Sequence, residues 1–294
     1  YSFVRYYLSE DGRKGLSYPI LFIWLPDRQL ATYRAAFDEI RRLFFEEIGR
    51  ELIINDWRVD FESNPKKIIK EFWPDAVVSG CQFHFSQSLQ ENWKSKLGRK
   101  DFVYVSLRAD FLDIYSGMVF ANPLVVNEAL TITETDMIPA LQCENKKKRI
   151  QDFHDYFKKQ WIQKRNSQAD WNQHALLLKG NTFWTTNQCE ALHLSLKKSY
   201  RSPPATIRAF SEVLRDYKSF FLGKFTNNFF ASRKLESIKK NENIFYHHRQ
   251  IERQSEAWKR ENAIAICAQF NNHTARLINY PSEFITTDSI YTVL

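Results

Sequence analysis

The spacing of apolar positions changes along the chain, and the changes divide it. Residues 1–8 and 16–25 are aromatic and β-branched runs on either side of Ser9-Glu10-Asp11-Gly12-Arg13-Lys14-Gly15, a polar stretch with Asp-Gly and a second glycine. That combination predicts a β-hairpin. Pro26-Asp27 closes the second strand, and Tyr33, Phe37, Ile40, Leu43 and Phe44 then recur at helical spacing through Ile48. Leu52-Ile53-Ile54, the polar Asn55-Asp56 and Trp57-Arg58-Val59-Asp60-Phe61 predict a strand ending near Asp60. A helix should follow, with Asn64 as N-cap, Pro65 at the first helical position, Ile68, Ile69 and Phe72 on its apolar side, and Pro74 as its stop. Ala76-Val77-Val78-Ser79-Gly80-Cys81 reads as one more short strand, and 82–96 as a helix.

After Gly98 the strand signal disappears. Helical patterns cover 102–115, a looser 125–141 punctuated by Pro123 and Pro139, a basic amphipathic 146–165, and 171–179, which Gly180-Asn181 breaks. In 146–165, Ile150, Phe153, Tyr156, Phe157 and Trp161 alternate with lysines and arginines, a core stripe with a basic face behind it. A helix carrying Glu190 ends before Pro203-Pro204, 207–221 is another, and 233–270 carries one or two more with a strongly basic bias. The tail after His273 has no clear period.

Composition adds limits. The chain is 44% hydrophobic over 294 residues, enough for a real core, and scarce Gly and Pro argue against linkers and repeats. A net charge of +8 favours a polyanionic partner, since basic groups set against phosphates release counterions, although a generic basic surface has the same charge. No apolar run approaches ~18 residues, so no membrane span is expected. Cysteines at 81, 143, 189 and 267 form no CxxC pair and no secreted framework, which points to a reducing, intracellular setting. No signal peptide is visible, and the chain opens on what reads as the inside of a strand, so an upstream piece is expected.

Two carboxylates stand out. Asp60 lies where a strand hands over to a helix whose cap is already supplied, so it is either an ordinary turn aspartate or a metal ligand projecting from a strand end. Glu190 fits a capping box with Asn187, but Thr185-x-x-Gln188 fits one equally well and leaves Glu190 available. At ~100° per residue, Asn187, Glu190, Lys197 and Arg201 share one helix face while Cys189, Leu192, Leu196 and Tyr200 share the opposite one. An apolar back and a front of one carboxylate followed by two cations suits phosphoryl transfer on DNA. His193 flanks the front and would either touch phosphate or stack inward. Cys81-Gln82-Phe83-His84 offers two zinc-compatible donors at i and i+3, short of the four that a structural zinc site needs; the alternative is a buried small Cys and a helix-start His.

Taken together, four stretches resemble the transposase domain of Mutator-like elements: Leu25-Pro26-Asp27-Arg28-Gln29 leading to Tyr33; Asp60-Phe61-Glu62; Phe72-Trp73-Pro74 with Gly80-Cys81-Gln82-Phe83-His84-Phe85-Ser86-Gln87; and Thr186-Asn187-Gln188-Cys189-Glu190-Ala191-Leu192-His193. The resemblance covers roughly the first two-thirds of the chain. It implies an α/β, ribonuclease-H-like mixed sheet whose first strand lies upstream, with a large all-helical insertion and a helical C-terminal extension. The boundaries would be 1–98 for the first part of the core, 99–184 for the insertion, 185–202 for the last catalytic helix and 203–294 for the basic extension.

The same resemblance implies an Asp-Asp-Glu triad holding two Mg²⁺ or Mn²⁺ ions for DNA strand cleavage and strand transfer, with Asp60 second and Glu190 third. The first Asp is expected upstream of Tyr1, because Asp11 belongs to the hairpin loop and Asp27 to the wrong end of the sheet. Cys81 and His84 inherit a family motif near the active site, and His193, Lys197 and Arg201 become candidate DNA contacts. Expected partners are double-stranded DNA, as element ends and target, and further copies of the chain assembled on it, in the nucleus. The alternatives are a non-catalytic DNA-binding regulator derived from such a transposase and, behind it, a zinc-dependent interaction module built on Cys81 and His84.

Overall fold

A computed structural model describes residues 2–8, 15–97, 107–163, 168–179, 193–194, 196–198, 206–226, 244 and 246–272. The protein is mostly helical, with a little sheet. It divides into two compact units, one formed by residues 1–78 and 185–239 and the other by 79–184 and 240–294.

The first unit opens with the expected hairpin. Strands β1 (Ser2–Leu8) and β2 (Gly15–Phe22) pair antiparallel from Ser2↔Phe22 to Leu8↔Gly15, with a register shift between Phe3 and Val4. Helix α1 (Leu30–Ile48) follows and ends at Gly49, whose φ of 73° supplies the left-handed C-cap that returns its amide to the Phe45 carbonyl. Strand β3 (Asp56–Val59), helix α2 (Ser63–Phe72) and strand β4 (Val77–Gly80) form a β–α–β run whose strands pair with each other as a small parallel sheet. Among the described residues the hairpin and this pair are separate two-stranded sheets, so a mixed α/β composition is present without a joined ribonuclease-H-like sheet.

The core of this unit takes in part of the set the periodicities picked out; on α1, Ile40 and Phe44 are only half-buried and Leu43 is exposed. Tyr33 and Phe37 of α1, Trp57 of β3, and Ile68 and Ile69 of α2 are buried together with Trp73 and Ala76. The indoles of Trp57 and Trp73 lie 5.3 Å apart, and Trp73 Nε1 donates to the Leu52 carbonyl at 2.6 Å, which gives a buried polar atom its partner. The start of α2 differs from the sequence reading. Glu62 is the N-cap residue and Asn64 lies inside the first turn, with its amide donating to the Arg28 carbonyl at 2.8 Å. Pro65 is therefore the third helical residue, still within the turn whose amides have no intrahelical acceptor, so its missing N–H costs nothing.

The second unit is helical. Helix α3 (Gln82–Leu97) packs Phe85, Leu89, Trp93 and Leu97 inward at helical spacing. A π-helical turn over Arg108–Leu112 runs into α4 (Asp113–Gly117). Helix α5 (Pro123–Ile132) starts from an Asn122 cap with proline at its first position, and it continues through a π turn over Thr133–Met137. Helix α6 (Glu144–Phe157) extends the same way over Lys158–Gln163. Short helices α7 (Gln168–Trp171) and α8 (His174–Leu178) follow. Of the aromatic stripe foreseen on α6, Phe153, Phe157 and Trp161 are buried, as is Ile150, and the Tyr156 hydroxyl meets that of Ser88 at 2.9 Å. Phe85 stacks on Trp171 at 4.9 Å and 7°. Beyond the 246–252 helix, α10 (Glu256–Glu261) and α11 (Ala263–Asn272) close the described chain, while α9 (Ile207–Thr226) belongs to the first unit.

Candidate functional site

In the first unit Asp60 stands one residue past the end of β3 and is exposed. The strand reaches it because Trp57 anchors β3 in the core, and the turn beyond is fixed from several sides. Glu62 accepts from Arg28 Nη1 at 2.9 Å and from the Tyr33 hydroxyl at 3.0 Å, so its carboxylate ties the turn after Asp60 to the start of α1. Lys66 lies 5.2 Å from the centre of the Phe61 ring. The guanidinium of Arg58, the residue before the last of β3, is pushed down to about 10 by burial, against the opposing pull of Asp56. Arg58, two positions before the exposed Asp60, is half-buried.

Asp27 has a structural duty. Its Oδ1 accepts from the Gln29 amide at 2.9 Å and from the Thr32 hydroxyl at 2.5 Å, and the Thr32 bond, then the backbone bond, hold its carboxyl below the ordinary aspartate range. Its carboxylate is committed to the entry of α1.

Cys81 and His84 belong to the second unit, at the junction of β4 with α3. Cys81 is fully buried and His84 half-buried, and their ligand atoms lie within 4.8 Å of each other. The backbone just before them is pinned: Gly80 O accepts from Gln173 Nε2 at 2.9 Å, and Gln173 N donates to Val119 O at 2.6 Å. Gln173 is itself fully buried, so this clamp is part of the helical core.

Of the remaining candidates, His193 and Lys197 are helical and exposed, while Leu196 between them is buried. Glu190 and Arg201 lie outside the described residues, as do Thr185, Asn187 and Gln188, whose capping bears on Glu190. The chemistry within reach differs between the groups. An exposed strand-end carboxylate is a hard oxygen donor suited to Mg²⁺ or Mn²⁺. A buried thiol beside an imidazole is a soft pair, suited to zinc and ill suited to magnesium.

A second grouping was not legible in the sequence. His174, His248 and Glu252, all in the helical unit, bring a ligand atom each within 4.8 Å of the others. His174 and Glu252 are 78 positions apart, and only the adjacent pair His247-His248 hinted at them.

No helix among the described residues is long and apolar enough to cross a membrane. Compared with known proteins, the chain matches no family model, no curated protein and no solved structure.

Proposed function

We propose that this chain is the catalytic domain of a DNA transposase of the Mutator-like type, which cleaves and rejoins phosphodiesters with divalent metal held by carboxylates. The observation that carries the reading is the position of Asp60, exposed immediately past the C-terminal end of one of two parallel strands in a β–α–β run. Open α/β sheets bind their ligands outside the carboxyl ends of their strands.

In this reading Asp60 and Glu190 each give carboxylate oxygen to Mg²⁺ or Mn²⁺, which would supply Lewis-acid stabilisation of the attacking and leaving oxygens. The chain's own work is positioning and charge. Glu62, Arg28 and Tyr33 hold the turn that carries Asp60. Exposed Lys197, with His193 on the same helix, meets phosphate together with Arg201, and the overall charge of +8 draws in the polyanion. Copies of the chain assemble on element ends in the nucleus.

The test is metal-dependent nicking of supercoiled plasmid by the full-length protein, beside DNA binding as a function of salt. Mn²⁺-dependent nicking that is lost in both Asp60→Ala and Glu190→Ala while salt-sensitive DNA binding persists is the expected result. Nicking that survives Asp60→Ala defeats the reading. Salt-sensitive binding with no nicking by the wild type favours the non-catalytic regulator instead.

A further inference from the structure

Three side chains of the helical unit meet where the sequence carries no motif. His174 opens α8, while His248 and Glu252 stand at i and i+4 on the 246–252 helix and so share one face. Their nearest ligand atoms all lie within 4.8 Å of one another. His174 Nε2 is 3.1 Å from Glu252 Oε1, and the two imidazole rings cross at 62° with centroids 4.8 Å apart. The histidines are 7% and 2% exposed.

An independent feature of the same cluster points to a ligand. His248 Nε2 is buried and has no hydrogen-bond partner, a costly state for an imidazole nitrogen in a packed interior. Burial, then the charges of His174 and Lys259, push this ring down to about 4, so it is neutral at physiological pH and one ring nitrogen keeps a lone pair.

We propose that His174, His248 and Glu252 form a binding site for a divalent transition metal of the zinc type. The proposal does not depend on the carboxylate chemistry assigned to Asp60 and Glu190. Two imidazoles and one carboxylate are a donor set that zinc accepts, with an open fourth position for water. With bonds of about 2.0–2.2 Å, donors on a tetrahedral zinc stand about 3.3 Å apart. His174 Nε2 and Glu252 Oε1 are already 3.1 Å apart, so an ion enters between them with a shift of a few tenths of an ångström, and His174 then carries its proton on Nδ1. Nitrogen donors also select against magnesium, which demands oxygen.

Lys259 of α10 sets the affinity. Its Nζ lies 3.2 Å from Glu252 Oε2 and 3.4 Å from the Glu252 carbonyl, and the side chain is buried. It holds the carboxylate oxygen that faces away from His174, which leaves Oε1 for the ion. Its positive charge nevertheless opposes a second cation a few ångströms away.

The experiment uses the full 294-residue chain, stripped with a chelator, loaded with Zn²⁺ and desalted, with metal read by mass spectrometry and stability by thermal melting. Expected is about one bound zinc per chain, retained in Asp60→Ala and in Cys81→Ala, lost in His248→Gln and Glu252→Gln, together with a zinc-induced rise in melting temperature that those two variants do not show. Lys259→Met should bind zinc about tenfold more tightly, because a like charge is gone. Circular dichroism identifies any variant that fails to fold, and because Lys259→Met predicts a gain, it stands even if a loss variant misfolds. No retained zinc, zinc that follows Cys81→Ala instead, or a Lys259→Met variant with unchanged or weaker affinity overturns the site.

Discussion

Gly117 and Cys267 meet where no side chain fits: a Cβ built on Gly117 would fall 1.6 Å from the Cys267 carbonyl oxygen. Helices α4 and α11 approach at this point backbone to backbone, and the obstacle is main chain, which cannot swing aside as a side-chain tip can. Gly117→Ala should therefore separate the two helices and destabilise the protein by about 3 kcal/mol or more, against the small gain that Gly→Ala gives in an unobstructed helix. Urea unfolding measures it, and a midpoint equal to or above wild type would show that the helices are not in this contact.

Acid should weaken the protein well before its carboxylates titrate. Burial holds His154, His174, His247 and His248 below the ordinary histidine value of 6.5. Above pH 6.5 the folded and unfolded chains are both neutral at these positions. Below it the unfolded chain takes up protons that the folded one refuses, so stability falls as the pH drops from 6.5 toward the folded value, about 4 for His248. Urea midpoints taken with chelator present should decline steadily from pH 6.5 to 4.5; a flat or rising series contradicts the burial of these rings.

Asn122 caps α5 by accepting from the Leu124 amide at 2.9 Å, ahead of Pro123. Asn122→Ala leaves that amide without its side-chain acceptor and should cost about 1 kcal/mol, while Asn122→Asp or Asn122→Ser should restore most of it. A loss that aspartate and serine do not recover would mean that Asn122 contributes through something other than the cap.

Trp73 combines packing with a hydrogen bond in the first unit. Trp73→Phe keeps an aromatic ring against Trp57 but deletes the donor to the Leu52 carbonyl and leaves a void beside it. The expected loss is about 2–3 kcal/mol in denaturant unfolding, larger than a neutral hydrogen bond alone is worth. A loss under 1 kcal/mol would place the indole outside the core.

Much of the secondary structure was legible because it is written in side-chain spacing. Tyr33 and Phe37, and Phe153, Phe157 and Trp161, each repeat at helical period, and each group is buried in the helix that period indicates or its extension. What failed was local chemistry with a distant partner. Asn64 has the composition of an N-cap, yet the Arg28 carbonyl, 36 positions earlier, takes its amide, and Glu62 occupies the cap position instead. The π turns that extend α5 and α6 have no residue signature of their own, so the sequence blurred helix and extension into single longer patterns. For the candidate site, Asp60 was visible as a polar residue ending an apolar run. His174 was not, because α8 is too short to show a period and its partners arrive from the far end of the chain.

The division of the chain into units of two segments each has a consequence for how it is made. Residues 1–78 complete a unit only with 185–239, and 79–184 only with 240–294. Leaving the ribosome at ~5–20 residues per second, the first segment waits roughly 5–20 s while 79–184 is synthesised before its complement exists. Trp24, whose ring lies 5.3 Å from that of Phe210 at a tilt of 58° in the finished molecule, is translated long before that ring. The nascent chain therefore carries an incomplete first unit through much of its synthesis. A chain released early, at residue 184, leaves both units unfinished.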